Sequence, residues 1–327
     1  MMSEASNKVK VILDTDMGSD CDDVGALALL HSYALDGKAE ILGVIYSSGV
    51  IPYGVGVIDA INTCFGKPDL PIGAYKKTDV GDPIDKMLAE KLAKDTAAFG
   101  HKRIGTDDAE DQTKLNRRLL ANAEDSSVMY VTIGHTTGIS ELLSSGADEV
   151  SSLNGIELVR KKVRRWVALG GLRANSDNGY HAQDWNFFRN GTVPYTKHAI
   201  DTCPVPITFI NAGDFVLTGK SLIKTSPGNI VRTAYRDWLW EFDKSTLEAQ
   251  RPSWDLATVY YTVEGLGPYL EEDQPGHLDF DVEKGSRWFT ETVNELHTYV
   301  NQVEGRDEAF AKYLDALMSK HLPKNSD

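Results

Sequence analysis

A chain of 327 residues, 41% hydrophobic and 25% charged, has the make-up of a globular protein with a substantial core. Its formal charge of −14 argues against a nucleic-acid surface, which needs clustered Lys and Arg. Cys21, Cys64 and Cys203 are scattered and odd in number, so neither disulfides nor zinc are expected. With no apolar leader and no run near the ~18 apolar residues of a membrane helix, the expectation is a cytoplasmic protein with no membrane partner.

In chain order, an apolar β-branched run over residues 9–13 stops at Asp14, a turn containing Gly18 follows, and an Ala/Leu-rich run opens after Asp23. This reads as strand, loop, helix. Residues 39–48 read as a second buried strand, 55–65 as a helix, and 66–73 as a turn delivering a short third strand. A helix is expected over 83–95, with Pro83 at its start, and another over 113–123. Between them 97–111 is polar and aperiodic, which suggests a mobile loop or lid near a site. Residues 127–133 form a further strand, followed at once by Gly134-His135-Thr136 and a helix through Leu143. The basic stretch 160–165 reads as a solvated helix end and loop before a strand at 166–169, and one more strand covers 205–211. The last third is expected to be helical until 278–285, whose alternation suggests a hairpin strand on the sheet edge, and a helix over 307–320 closes the chain. Alternating strands and helices imply an α/β fold: an open, mostly parallel, doubly wound (Rossmann-like) sheet with an antiparallel edge and helices on both faces. With no repeat and no low-complexity linker, residues 1–327 are expected to form a single domain.

Five carboxylates, Asp14, Asp16, Asp20, Asp22 and Asp23, fall within ten residues at the end of the first strand. Solvent or a bound cation must relieve their repulsion. Asp22 and Asp23 could simply cap a helix, but capping leaves Asp14 and Asp16 unexplained. Only oxygen ligands are on offer, so the cation would be hard, Ca²⁺ or Mg²⁺. Gly18 and Gly25 fall where an EF-hand loop needs a ligand and a Glu, which excludes that motif.

The stretch Asp14-Thr15-Asp16, Gly18 and Asp22-Asp23-Val24-Gly25-Ala26-Leu27 resembles the N-terminal signature of the calcium-dependent nucleoside hydrolases, the inosine-uridine type and its purine-preferring relatives. Thr132-Ile133-Gly134, Asn178 with Asp184-Trp185-Asn186, and Trp254-Asp255 are similar to later segments of that family, in the family's order. The resemblance implies hydrolysis of the N-glycosidic bond of ribonucleosides, purine nucleosides favoured, by a calcium-bound water activated by Asp16. It implies Ca²⁺ ligation by Asp16, Asp23, Asp255 and the Ile133 carbonyl. Substrate contacts would come from Asp22, Asn178, Asp184, Asn186 and Trp254, with Asp14 propping the loop without touching the ion. A homo-oligomer, dimer or tetramer, is expected.

The chain departs from the family's pattern in three places. Two extra residues separate Gly18 from the Asp pair and leave Asp20 unassigned. Trp254 stands where the inosine-uridine type has a leaving-group histidine; the purine-preferring relatives have a tryptophan there that stacks on the base, although core packing at a helix start explains Trp254 equally well. Ser48-Gly49-Val50 stands where a ribose-binding Asn often lies, so that contact is lost or passes to Ser47 or Ser48. His135 could reach the site or be satisfied by a loop backbone, and His181 could contact a base; Tyr75, Trp238 and Trp240 could line the base pocket or belong to the core. Two rival readings stand beside the first. One is a Mg²⁺-dependent phosphatase of the haloacid dehalogenase type with Asp14 as nucleophile, for which Gly18 and the missing Lys and Asp-Asp set are unfavourable. The other is a calcium- and nucleoside-binding protein without turnover.

Overall fold

The computed structural model describes residues 8–172 and 179–325. Its strands are β1 (Val9–Thr15), β2 (Ala39–Tyr46), β3 (Ile72–Ala74), β4 (Glu110–Asp111), β5 (Val128–Thr132), β6 (Val163–Leu169), β7 (Ile207–Asn211), β8 (Leu217–Thr218), β9 (Arg251–Pro252), β10 (Leu270–Glu272), β11 (His277–Asp281), β12 (Gly285–Phe289) and β13 (His297–Gln302). Among the described residues, nine of these form one sheet in the order β10-β13-β7-β6-β5-β1-β2-β3-β4. Every neighbouring pair runs parallel except β10 with β13, the antiparallel edge.

Runs of Val, Ile and Leu without polar alternation suit strands covered on both faces. Val11 and Leu13 of β1 enter one core, whereas Ile12 between them enters the other. The strand order reverses at β1, with β2 on one side and β5 on the other. In open α/β sheets the crevice at the carboxyl ends of strands flanking such a reversal is the usual ligand site. The segments leaving β1 and β5 carry Asp16 and Ile133, so chain topology alone brings those two together.

The helix Asp22–Leu35 leaves the β1 loop and is buried from Asp22 through Tyr33. A helix apolar on all sides lies inside the protein, and neighbours close on it from several directions. Gly25 leaves room for several of them: a Cβ there would meet the Tyr235 hydroxyl first and stand 2.9 Å from Leu256 Cδ1. The helix Trp254–Glu264 therefore crosses directly over the start of Asp22–Leu35, which sets Asp255 beside Asp22 and Asp23.

Several sequence expectations change. The helix expected over 83–95 is confined to Ala89–Lys94, and residues 97–111, read as a candidate mobile loop near the site, carry the end of the short helix Thr96–Phe99, a helical turn at Thr106–Asp108 and β4, and line no part of the cavity described below. The Lys102 and Arg103 amides both donate to Asp59, so an anchored backbone replaces the expected mobile loop. No loop separates the helix Gly155–Lys162 from β6; Arg164 and Arg165 lie inside the strand, and Arg165 donates to Thr208 on β7. The hairpin β11-β12 is a separate two-stranded sheet and not the edge of the main one. The unforeseen β13 lies within the main sheet, pairing with β7 and β10. Among the described residues no helix is long and apolar enough to cross a membrane.

Gly134 holds the β5 end against the β1 end. A Cβ there would meet the Asp16 backbone nitrogen and come within 2.6 Å of the Thr15 carbonyl carbon. Backbone cannot yield as a flexible side chain can, so Gly134→Ala is expected to destabilise the protein by about 1 to 3 kcal/mol in urea denaturation. An unchanged midpoint would show that the two strand ends can separate freely.

Candidate active site

The carboxyl ends of β1, β5 and β6, together with the helix Trp254–Glu264 and the 184–186 turn, enclose a cavity of about 310 Å³. Its floor is acidic. Asp22, Asp23 and Asp255 are all buried, and each places a carboxylate oxygen within 4.8 Å of the other two. Asp16, also buried, lines the same cavity, and its Oδ2 has no hydrogen-bond partner. The Ile133 backbone and Asp184 complete the wall on the β5 and β6 side.

Local bonding explains how the floor is held. Met17 N–H donates to Thr15 Oγ1 at 3.1 Å, and that hydroxyl in turn donates to Asp23, so the loop after β1 turns back onto the helix start. The Asp255 amide donates to Asp22 Oδ2 at 3.4 Å, linking the two helix N-termini. Asp14 lies outside the cavity lining, fully buried, and accepts from Tyr130 Oη at 2.9 Å. That arrangement suits a prop for the loop, and it leaves the phosphatase reading without an accessible nucleophile.

Asn186 Nδ2 donates to the carbonyls of Ile133 at 3.0 Å and Leu169 at 3.3 Å. Its amide therefore orients the Ile133 carbonyl, a contact the sequence did not suggest. Asp184 lines the cavity, but its two oxygens accept from the backbone amides of Gly171, Leu172, Asn186 and Phe187. Its hydrogen-bonding is thus committed to the loop, and it faces the cavity only as a charge. Ser47 and Ser48 are buried outside the lining, and Ser47 donates to the Thr15 carbonyl, so neither replaces the missing ribose contact. Asn178 falls outside the described residues.

His135, for which reaching the site and being satisfied by a loop backbone were both open, is fully buried with neither ring nitrogen in a well-formed hydrogen bond. Its Nε2 stands 3.5 Å from Asp16 Oδ2. The outer half of the cavity is aromatic: Trp185, Trp238, Phe242 and Trp254. Of the aromatic residues left open between pocket and core, Trp238 lines it, whereas Tyr75 bonds to Asp79 and Tyr195 elsewhere and Trp240 is exposed outside it. Phe242, Lys86, Asp214 and Arg251 are cavity residues that sequence reasoning missed, because they are far apart in the chain with no motif spacing to link them, and Trp185 was passed over between Asp184 and Asn186. Asp20, unassigned from sequence, forms a bidentate ion pair with Arg251.

Electrostatics follow from burying so many like charges. Burial, reinforced by Asp82 and Asp20, pushes Asp16 up to about 7, and burial pushes Asp14 up to about 8. Asp22, Asp23 and Asp255 are raised well above the carboxylate range by burial and then by neighbouring carboxylates, chiefly Asp20 for Asp22, Asp16 for Asp23, and Asp22 for Asp255. A multivalent cation would cancel both penalties, and the donors are all hard oxygens, so the cluster fits a calcium-type ion.

No family model and no curated protein sequence matches the chain. Solved structures do. The inosine-uridine preferring nucleoside hydrolase of Bacillus anthracis is 15% identical over 95% of this chain and 99% of its own, with a TM-score of 0.65. The chain has the nucleoside hydrolase fold. A plant nucleoside hydrolase superposes on that fold with a TM-score of 0.62 at 16% identity, covering 94% of this chain and 98% of its own. The type III effector XopQ, solved with adenosine diphosphate ribose, has the fold as well: TM-score 0.65, 16% identity, 96% and 93% covered. The nucleoside hydrolase fold thus occurs in hydrolases and in an effector.

The raised carboxylates give a pH signature. In the cation-free protein a carboxylate that ordinarily titrates at 3.8 but holds its proton to about 7 or 8 contributes stability fully below 3.8 and loses it as pH rises through those folded values. His31 and His135, lowered by burial from 6.5 to about 4, act oppositely between those two values. The net loss is therefore clearest above 6.5. Melting temperature in chelator is expected to fall from about pH 6.5 to about pH 8, and calcium to remove most of that fall. A flat profile in chelator would contradict the repulsive floor.

Proposed function

We propose that the protein hydrolyses the N-glycosidic bond of ribonucleosides, purine nucleosides favoured, releasing ribose and free base. The observation that carries this is the union of a buried, all-oxygen carboxylate floor with an aromatic outer half in one cavity, at the strand reversal of a nucleoside hydrolase fold. Asp16, Asp23, Asp255 and the Ile133 carbonyl would hold Ca²⁺. The ion, when bound, supplies a positive charge that makes nearby water more acidic and gathers the vicinal hydroxyls of a ribose.

This chain's residues do the rest. Asp16 has a carboxylate oxygen with no hydrogen-bond partner, which is available to take a proton from the attacking water. The water oxygen bonds to the anomeric carbon as the C–N bond breaks and its electron pair leaves with the base. Asp22 and Asp184 surround the sugar position with negative charge, which favours the oxocarbenium-like transition state. Asn186 fixes the Ile133 carbonyl in place, and Asn178 would add a sugar contact. Trp254, with its indole N–H donated to Asp214, presents a fixed ring for stacking on the base at about 1 to 3 kcal/mol.

Incubation with inosine, adenosine, uridine and a phosphate ester, with and without a calcium chelator, tests the reading. Chelator-sensitive release of free base is the expected result; tight binding without product would favour a nucleoside-binding protein, and phosphate release would overturn the assignment. Asp16→Asn should lower kcat by at least about a hundredfold while sparing the circular dichroism spectrum. Retained activity in that variant would remove Asp16 as the base. Trp254→Phe should cost more on purine than on pyrimidine nucleosides, and equal losses would assign Trp254 to packing.

A further inference from the structure

The cavity's outer end is chemically lopsided. Its two carboxylates are already engaged, Asp20 by Arg251 and Asp214 by the Trp254 indole. Its cations are Arg251 and Lys86. Lys86 is bound to Asp82 at 2.9 Å, with its Nζ 4.4 Å from the Trp185 ring centre. Arg251 differs in having an unused donor. Nε and Nη2 both serve Asp20, whereas Nη1 makes no hydrogen bond among the described residues. The guanidinium lies 4.3 Å from the Trp238 ring centre and 5.0 Å from that of Trp254. Two aromatic faces and a bidentate carboxylate thus fix its plane, and one edge carrying two N–H groups is left over.

We propose that Arg251 is the residue that stabilises the departing base, with Asp20 as its positioning residue. The proposal rests on the hydrolase reading. When the C–N bond breaks, its electron pair moves onto the base, and negative charge builds on the base's acceptor atoms. The Nη1 edge donates to those atoms. No proton leaves Arg251, which stays charged at any working pH; the base takes its proton later from water. A guanidinium edge that can only donate selects a base that presents acceptors, such as the carbonyl and ring-nitrogen edge of a 6-oxopurine. This gives roles to two features the sequence left open: the extra aspartate in the first loop, and the lack of a histidine before Asp255. It also gives Trp254 a second use, as one of the two rings that hold the guanidinium.

The test compares two leaving groups. Inosine needs help to release its base, whereas p-nitrophenyl riboside releases a phenolate that is stable unaided. In Arg251→Met, kcat on inosine should fall about tenfold to a hundredfold further than on p-nitrophenyl riboside, the size of one lost charge-assisted hydrogen bond. Arg251→Lys keeps the charge and stem and should recover part of the inosine rate. Asp20→Asn, which loosens the guanidinium without removing it, should give the same selective loss in milder form. A wild type active on both substrates with equal losses in Arg251→Met overturns the role of Arg251 alone. So does a Lys variant as slow on inosine as the Met variant with an unchanged circular dichroism spectrum. A wild type inert on both substrates overturns the hydrolase reading, and this proposal with it.

Discussion

The constraint on which the rest depends is the mutual repulsion of four buried carboxylates, Asp16, Asp22, Asp23 and Asp255, at the end of the central strand. Burial alone disfavours each charge, and each neighbour adds to the penalty. Such an arrangement persists only if the surrounding fold over-determines it. Here it is fixed by a strand at the topological reversal, a helix buried on every side, and a second helix brought against Gly25. The stored repulsion is what makes the floor a receptor for a cation.

The cavity divides the chemistry in space. Carboxylates and the Asn186-oriented Ile133 carbonyl form the inner end, where a sugar ring and an ion would be held. Four aromatic side chains, the cations Arg251 and Lys86, and the already engaged carboxylates Asp20 and Asp214 form the outer end, where a planar base would leave. An oxocarbenium-like transition state carries positive charge on the sugar and negative charge on the departing group. The carboxylate floor is opposite in sign to the sugar end of that state, and the Arg251 edge is opposite in sign to the departing group. Catalysis by such a site comes from dipoles and charges already in place when the bond breaks.

Structural likeness at 15 to 16% identity fixes the fold, and the fold is used both by hydrolases and by an effector solved with adenosine diphosphate ribose. Function therefore has to be argued from the site. The features that bear most on it here are Asp16 with its free oxygen, and Arg251 with its free edge.

How much was legible in advance depended on whether the signal was local. The central strands, the buried helix after β1 and the parallel α/β architecture followed from apolar runs and their punctuation, because burial on both faces of a sheet writes itself into consecutive residues. The Asp14–Asp23 stretch declared a charge problem by density alone. What tertiary structure decided is everything that joins residues far apart in sequence. It set Asp20 against Arg251, brought His135 beside Asp16, tied Asp184 to four backbone amides, turned residues 97–111 away from the cavity, and placed β13 inside the sheet. Hydrophobic periodicity records which face of an element is covered. It cannot record which distant side chain completes an ion pair, because that depends on the register at which packed elements meet.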